Sequence, residues 1–155
     1  MLKPKQLREV LTKSVPLLQR NPDSLNMFID NGRMVSTLAS SLSFEYQYQL
    51  NLVVTDYDGD LDLLVVPVLA WLRENQPDIM ANEEKRRTGF TFSADVISDT
   101  LIDISMNLQL TERVLVKDLD GALHVNHLGE PPLPENNSRP WQLYVKDELV
   151  SEWQR

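Results

Sequence analysis

Aromatic or aliphatic side chains alternate with polar ones along residues 42–55, and this alternation predicts a long β-strand. One face of that strand would carry Phe44, Tyr46, Tyr48, Leu50, Leu52 and Val54, and the other Glu45, Gln47, Gln49 and Asn51. Residues 60–74 carry an apolar stripe at helical spacing instead, formed by Leu61, Leu64, Val65, Val68 and Leu72. The two apolar surfaces can bury each other, so this part of the chain predicts a helix packed on a sheet.

Proline and glycine positions set the expected ends of the neighbouring elements. The first helix should begin near Pro4 and should kink or end near Val15, because Pro16 follows. Its apolar stripe comprises Leu7, Leu11, Ser14 and Leu18. The run Asp30-Asn31-Gly32 predicts a hairpin turn between LNMFID and GRMVST, since Asn-Gly tolerates positive φ. Pro67 should bend the helix of residues 60–74.

A second β region begins at Gly89. GFTFSADV and TLIDISMNLQLTERVLV both alternate, and Asp118-Leu119-Asp120-Gly121 predicts a hairpin turn into ALHVNHL. The polar stretch 76–89, with its EEKRR cluster, is interpreted as a solvated loop or short helical turn. WQLYVK is a last strand candidate, followed by a polar tail that carries Trp153. The order α-β-β-β-α-β-β-β-β-β indicates an α+β fold, a mixed or antiparallel β-sheet flanked by two or more α-helices.

Length and composition favour a single domain. A chain of 155 residues can bury roughly two-thirds of its unfolded surface, so it needs neither metal nor disulfides, and it has no cysteine. We expect a core over residues 1–128. Residues 129–155, a Pro-rich arm with a C-terminal strand and tail, would belong to the same domain or be exchanged with a neighbour. No apolar run approaches the roughly 18 residues of a membrane helix, and MLKPKQLREV does not resemble a signal peptide. A soluble intracellular protein without membrane contact is expected.

The net charge of −8 argues against a protein that grips nucleic acid. Binding to phosphate backbones is driven mainly by Lys and Arg, and here 23 acidic residues outnumber 15 basic ones. An acidic surface past which DNA slides remains compatible with this balance.

The clusters of residues that could carry reactive chemistry have structural interpretations. The cluster from Asp56 to Asp62 lacks the Gly and Glu that a calcium loop requires, so we interpret it as a turn in which Asp58 or Asp60 caps the following helix. His124 and His127 lie three apart on a strand and cannot share a metal ion. Neither catalytic, cofactor-binding nor metal-binding residues are predicted. Acid/base work by carboxylates remains an alternative, at Asp95, Asp99 and Asp103.

Four of the six interface candidates lie in the C-terminal region. Aromatic anchors on an extended arm are typical of strand addition to a neighbouring subunit, and the competing interpretation is an edge strand that closes the chain's own sheet. The candidate interface residues are Trp141, Leu143, Tyr144, Trp153, Arg86 and Arg87.

The chain resembles the tail completion protein R family of P2-like contractile-tailed phages. The resemblance rests on SLSFEYQYQLNLVVTDYDGD with LVVPVLAWLRENQPDIM, on GFTFSADVISDT, on LQLTERVLV with DGALHV, and on the N-terminal LKPKQLREVLTKSVPLLQRNPDSLNMFIDNG. These strings lie in order over roughly residues 2–127, and none is a catalytic motif.

This resemblance implies a tail-terminator-like single domain and a structural, non-enzymatic role. Such proteins cap the head-proximal end of the tail, and related terminators form rings of six around the DNA passage. The implied partners are identical subunits in a homo-hexamer, tail tube and sheath proteins, and head completion or neck proteins, with DNA as passing cargo. The implied location is the neck end of the virion tail, after assembly in the host cytoplasm. The alternative is a monomeric adaptor that recognises one partner through its C-terminal aromatic segment.

Overall fold

The computed structural model describes residues 1–131 and 140–154, which form one α+β domain. The helices are α1 (Lys3–Ser14), α2 (Pro16–Arg20), α3 (Asp62–Asn75), α4 (Asp78–Ala81) and α5 (Glu83–Thr88), with a 3-10 turn at Pro22–Ser24. The strands are β1 (Leu25–Ser36), β2 (Phe44–Tyr57), β3 (Phe90–Val96), β4 (Ile102–Leu119), β5 (Ala122–Leu128), β6 (Trp141–Val145) and β7 (Glu148–Trp153). The predicted fold class is confirmed, and every described strand pair is antiparallel.

The main sheet has the strand order β1-β2-β4-β3, with β5 paired to the far part of β4. The 18-residue strand β4 therefore connects the whole sheet. Its Ile102–Leu108 segment pairs with β3, and its Arg113–Leu119 segment pairs with β5. The main sheet begins at β1 on one side and ends at β3 on the other.

One face of the sheet packs on the helices, as the alternation predicts. Tyr48, Leu50, Leu52 and Val54 of β2 meet the buried side chains of β4 and the stripe of α3 in one apolar cluster. The stripe of α1 and α2 joins this cluster through Leu7, Leu11 and Leu18. The β4 side chains in the cluster are Ile104, Met106, Leu108 and Leu110.

Pro16 divides the N-terminal helix as predicted. Helix α1 ends at Ser14, Val15 is extended at φ −99° and ψ 117°, and α2 begins at Pro16. The residue before a proline avoids helical angles, so this break follows directly from the sequence. Helix α3, by contrast, continues through Pro67 to Asn75, and the bend at Pro67 stays a prediction.

The hairpin predicted at Asp30-Asn31-Gly32 is wrong. Strand β1 runs continuously from Leu25 to Ser36, and its pairing with β2 shifts register between Asp30 and Arg33. Asn31 does adopt positive φ, 51°, but it forms a β-bulge instead of a turn. The chain reverses later, in residues 37–43.

The turn predicted at Asp118–Gly121 is confirmed. Strand β4 ends at Leu119 and β5 begins at Ala122, so Asp120 and Gly121 form a two-residue connection with φ of 53° and 80°. Positive φ at both central residues defines the turn type that suits a twisted hairpin.

The C-terminal tail forms a strand that the sequence did not reveal. β7 pairs with β6 around a turn at Lys146 and Asp147, whose φ values are 50° and 64°. This hairpin is a separate two-stranded sheet, so the alternative interpretation, in which the last strand closes the main sheet as an edge strand, is wrong. The hairpin packs on α1 through β7. Most of the Pro-rich arm, residues 132–139, lies outside the described residues.

Candidate assembly surfaces

Three strands of the main sheet have an open edge within the described residues. β1 pairs only with β2, whereas β3 and β5 each pair only with β4. Outward-facing backbone groups at such an edge can pair with another strand. The edges of β1 and β3, on opposite sides of the main sheet, are the first candidate surface for contact with another chain.

A second surface lies where two hairpins extend past the helix-covered core. The β1–β2 connection reaches β4 there, because the Ser41 hydroxyl donates to the Val116 carbonyl at 3.1 Å and the Val116 amide donates to Ser43 Oγ at 2.9 Å. Phe44 and Tyr46 stack edge to face, with ring centroids 5.0 Å apart. The exposed apolar side chains of this projecting end include Met34, Leu38, Leu42, Leu119, Leu123 and Val125.

The sheet face opposite the helices is mainly amide and hydroxyl. Gln49 donates to Asn51 at 2.9 Å and accepts from Gln109 at 3.1 Å across the β2–β4 pair. Arg33 Nε donates to Gln47 at 2.7 Å. This polar, hydrogen-bonded face is what an antiparallel sheet with one solvated side shows.

A buried polar network joins the N-terminus to the middle of β4. Lys3 Nζ donates to Gln76 Oε1 at 2.7 Å and to the Thr111 carbonyl at 2.6 Å, and it forms an ion pair with Glu130 at 3.5 Å. Burial lowers the pKa of Lys3 below 10.5, although the charges of Glu130 and Glu112 oppose that shift. Thr111 lies between the part of β4 that pairs with β3 and the part that pairs with β5. Gln76 Oε1 accepts the Thr111 amide and Lys3 Nζ donates to the Thr111 carbonyl, so these two side chains replace the hydrogen-bond partners that a neighbouring strand would supply.

The same network continues to the surface at α4 and α5. Burial acts to raise the pKa of Asp78, but hydrogen bonds from Lys85 and Gln76 outweigh it, and the pKa lies below 3.8. The hydrogen bond with Asp78, 2.7 Å long, raises the pKa of Lys85. These contacts hold the short helices against the core.

The carboxylates considered for acid/base work lie on the surface of the sheet end. Asp95 and Asp103 are cross-strand neighbours, while Asp99 lies in the connection between β3 and β4. Asp103 Oδ1 accepts a hydrogen bond from the Asp56 amide at 2.8 Å. Asp103 therefore stabilises the β-bulge of β2 at Asp56, where the backbone φ is positive.

The capping role predicted for Asp58 or Asp60 is wrong. Leu61 occupies the N-cap position of α3, and no side chain accepts a hydrogen bond there. The Asp60 carbonyl instead accepts the Leu63 amide at 3.0 Å and the Tyr57 hydroxyl at 2.8 Å. Asp62 does lie in the first turn, where the helix dipole favours a negative charge.

Within the described ranges, no three His, Cys, Asp or Glu side chains come together so as to hold a metal ion. His124 and His127 lie on β5 opposite Lys117 and Val114. No described helix is both long and apolar enough to cross a bilayer.

The C-terminal interface candidates divide into buried and exposed positions. Trp153 and Leu143 are buried and Trp141 is half-buried, whereas Tyr144 is 55% exposed. Trp141 pairs with Trp153 across the β6–β7 hairpin. With Trp71 of α3, they line a cleft of about 390 Å³ between α1, α3 and the hairpin, so all three tryptophans meet there.

Arg86 and Arg87, the remaining candidates, are exposed on α5. Arg86 Nε donates to the Met80 carbonyl at 2.7 Å, and Arg87 forms an ion pair of 3.6 Å with Glu83. The Asn82 side chain caps this helix by accepting the amides of Glu84 and Lys85. The EEKRR cluster is therefore a short, solvated helix, as predicted, and an interface role for its arginines stays a prediction.

Comparison with known proteins identifies the family. The family model of P2 phage tail completion protein R (GpR) matches residues 1–131. The chain belongs to this family. It is also 60% identical over 153 residues to "Tail completion protein R" of Escherichia phage P2, covering 99% of both chains. No solved structure matches the chain.

The family match confirms the resemblance drawn from the strand and helix strings. It ends at residue 131, just before the undescribed part of the Pro-rich arm. The relative from phage P2 extends the similarity over the C-terminal hairpin as well. The open strand edges and the apolar projecting end, which hydrophobic periodicity alone does not reveal, therefore belong to the part of the chain that the family model matches.

Proposed function

We propose that this protein completes the tail of a contractile-tailed phage, as a non-enzymatic ring of six copies that caps the head-proximal end of the tube and sheath. The observation that carries the proposal is the near full-length similarity to the tail completion protein of phage P2. The residues act by shape and contact in this proposal, and no bond is made or broken.

A ring explains how growth of the tail stops. Closed cyclic symmetry pairs the lateral surfaces of each copy with those of its neighbours, so none remains to continue the array. Two open edges on opposite sides of the main sheet provide such lateral surfaces. The projecting end, with its exposed apolar side chains, then offers a separate surface for tube, sheath, head completion or neck proteins.

Charge supports a passage through which DNA moves without binding. Six copies of a chain with net charge −8 carry −48 in total. Like charge repels the phosphate backbone, so the genome would slide past the ring as cargo. The proposed location is the neck end of the virion tail, reached after assembly in the host cytoplasm.

Particles assembled without the protein test this proposal. Electron microscopy should show tails of abnormal length or tails detached from heads, and the intact chain supplied in the same cells should restore joined particles. Tails of normal length on filled heads, formed in its absence, would refute the proposal.

An adaptor that binds one partner as a monomer is the second candidate. It is favoured by the C-terminal hairpin, which exposes Tyr144 and Leu149 beside the tryptophan cleft. Mass measurement at micromolar concentration, with and without tube protein, separates the two functions. A chain that stays monomeric with tube protein and binds it through the hairpin supports the adaptor.

A further inference from the structure

Strand β3 lacks the features that usually protect an open edge. It has neither proline nor lysine, its seven residues pair with β4 without a register shift, and Asp95 is its one charged residue. Phe92 and Val96, on the face that packs on helices elsewhere in the sheet, are 61% and 78% exposed. An exposed, regular and apolar edge of this kind invites pairing with another strand.

The hydrogen-bond pattern shows which groups of β3 are available. The Gln109 amide donates to the Gly89 carbonyl at 2.9 Å, while Phe90 lies opposite Leu108. In an antiparallel ladder this makes Phe90 a non-hydrogen-bonded pair with β4, and the pattern repeats every second residue. The amides and carbonyls of Phe92 and Ala94 therefore point away from β4, toward the open edge.

The opposite edge of the same sheet has the matching direction. Successive strands β1, β2, β4 and β3 are antiparallel, so β1 runs opposite to β3. Two copies in the same orientation can thus place β1 of one beside β3 of the other as an antiparallel pair, with their helix-covered faces on one side. Repetition of this contact is head-to-tail and can close a ring.

We propose that residues 26–30 of β1 in one copy pair with β3 of the next copy, which continues the sheet from subunit to subunit. This inference rests on the proposed ring and specifies how its subunits join. The bulge at Asn31 and Gly32 limits the pairing on one side. On the other side, the Arg8 side chain from α1 donates to the Leu25 carbonyl at 3.3 Å, which leaves 26–30 as the free stretch.

Side-chain chemistry favours the register in which Ser93 lies opposite Phe28 of the neighbour. With Ser93 opposite Phe28 of the neighbour, Asp95 faces Asn26 and stays away from Asp30, whose like charge would be unfavourable. The same register places Phe92 beside Ile29 on the helix-covered face. It also pairs Phe28, a phenylalanine 51% exposed on the otherwise polar face, with the neighbour's strand.

Engineered cysteines test this register without background cross-linking, because the chain has no cysteine of its own. Ser93 and Phe28 would form a non-hydrogen-bonded pair between copies, with Cα atoms about 4.5 Å apart, within disulfide range. Within one copy the two strands are three spacings apart, roughly 14 Å, which is too far for a disulfide. Any Ser93–Phe28 cross-link therefore joins different copies.

The double variant Ser93→Cys with Phe28→Cys should be supplied to particles that lack their own copy, and their tails should be oxidised. A non-reducing gel should show a ladder of covalent oligomers ending at the closed ring. The control Phe92→Cys with Phe28→Cys places the two thiols on opposite faces and should stay monomeric.

Two outcomes overturn the proposal. Dimers from Ser93→Cys alone would show that β3 pairs with a second β3. Tails that are normally completed by the double variant but yield only monomers would exclude this edge contact while leaving the proposed function intact. If normally completed tails contain none of the protein, the proposed function itself is refuted.

A proline variant gives an independent measurement. Ala94→Pro removes one outward amide and spares the ladder with β4, so the thermal transition should change little while tail completion is lost. Ala94→Ser keeps the amide and should remain active. Full activity of a folded Ala94→Pro variant would contradict the pairing.

Discussion

At the scale of single residues, the hydroxyl of Tyr48 is the donor that satisfies a buried carboxylate. It donates to Glu112 Oε2 at 2.7 Å, while Glu112 Oε1 accepts the Leu2 amide at 2.7 Å. Tyr48→Phe leaves one oxygen of this buried group without that donor, and we expect a loss of about 1–3 kcal/mol in the free energy of unfolding. Urea denaturation of the variant and the wild type measures this loss of stability. Tyr46→Phe, two residues earlier on the same face, should change stability far less.

The same hydroxyl makes stability depend on alkaline pH. Burial, then the Glu112 hydrogen bond, raises the pKa of Tyr48; burial, then the charges of Asp58 and Asp60, raises that of Tyr57. The native state thus holds these protons after the unfolded chain has released them, so stability present below about pH 10 is lost as pH rises further. The lowered pKa of Lys3 acts in the opposite direction, toward higher stability as pH approaches 10.5.

Urea midpoints at about pH 9 and about pH 11 measure this effect. The midpoint should fall between the two values, and the fall should be smaller in the double variant Tyr48→Phe with Tyr57→Phe. An equal fall in the wild type and the double variant would show that other groups govern the alkaline transition.

At the scale of elements, hydrophobic periodicity predicted the strands and helices whose position depends on local sequence. The strand of residues 42–55 appears as Phe44–Tyr57, and the helix of residues 60–74 as Asp62–Asn75. Asn31-Gly32 predicts a turn, but the positive φ of Asn31 serves a bulge here, as it can in either structure. The choice depends on β2, which is long enough to pair with both halves of β1, and that contact is not local.

The C-terminal hairpin escaped prediction for a related reason. Its turn uses Lys146 and Asp147 at positive φ, without the glycine that usually signals such a turn. β7 alternates weakly in sequence, and its Trp153 is buried only because α1 lies against it. Contacts between distant parts of the chain decide this element.

Gly89 joins α5 to β3, and its lack of a side chain is required by packing. A Cβ there would lie 2.6 Å from the Lys85 carbonyl and 3.0 Å from the Ile79 side chain. We therefore expect Gly89→Ala to cost about 1–3 kcal/mol, because the helix or the strand must shift. Differential scanning calorimetry should show a lower transition temperature. A Cβ at Gly129 meets no atom of the described residues within 4 Å, so Gly129→Ala should be close to neutral.

At the scale of the whole molecule, the candidate surfaces depend on strand order, which the sequence does not state. Alternation predicted a strand in GFTFSADV, but only the order β1-β2-β4-β3 shows that this strand is an edge and leaves Phe92 and Val96 exposed. The buried Lys3 network was also missed, since an N-terminal lysine usually lies in solvent. The aromatic C-terminal candidates were recognisable by composition, but their division into buried and exposed positions was not.

The relation of the C-terminal hairpin to the core can be tested by truncation. The main apolar cluster contains residues from Leu7 to Leu110 and none from β6 or β7, so a chain ending at Pro131 should keep a cooperative unfolding transition. Loss of the buried Trp153 and Leu143 contacts should cost about 2–4 kcal/mol. Trp71, the one tryptophan left in the truncated chain, reports on the unfolding transition by its fluorescence.

A truncated chain that no longer unfolds cooperatively would mean that the hairpin is part of the folding unit. If residues 129–155 are instead exchanged between neighbours, the intact chain should form dimers whose fraction rises with concentration, and the truncated chain should stay monomeric under the same conditions. Sedimentation of both chains over the same concentration range distinguishes a hairpin packed on its own α1 from one packed on a neighbour, because only exchange links association to the presence of the hairpin.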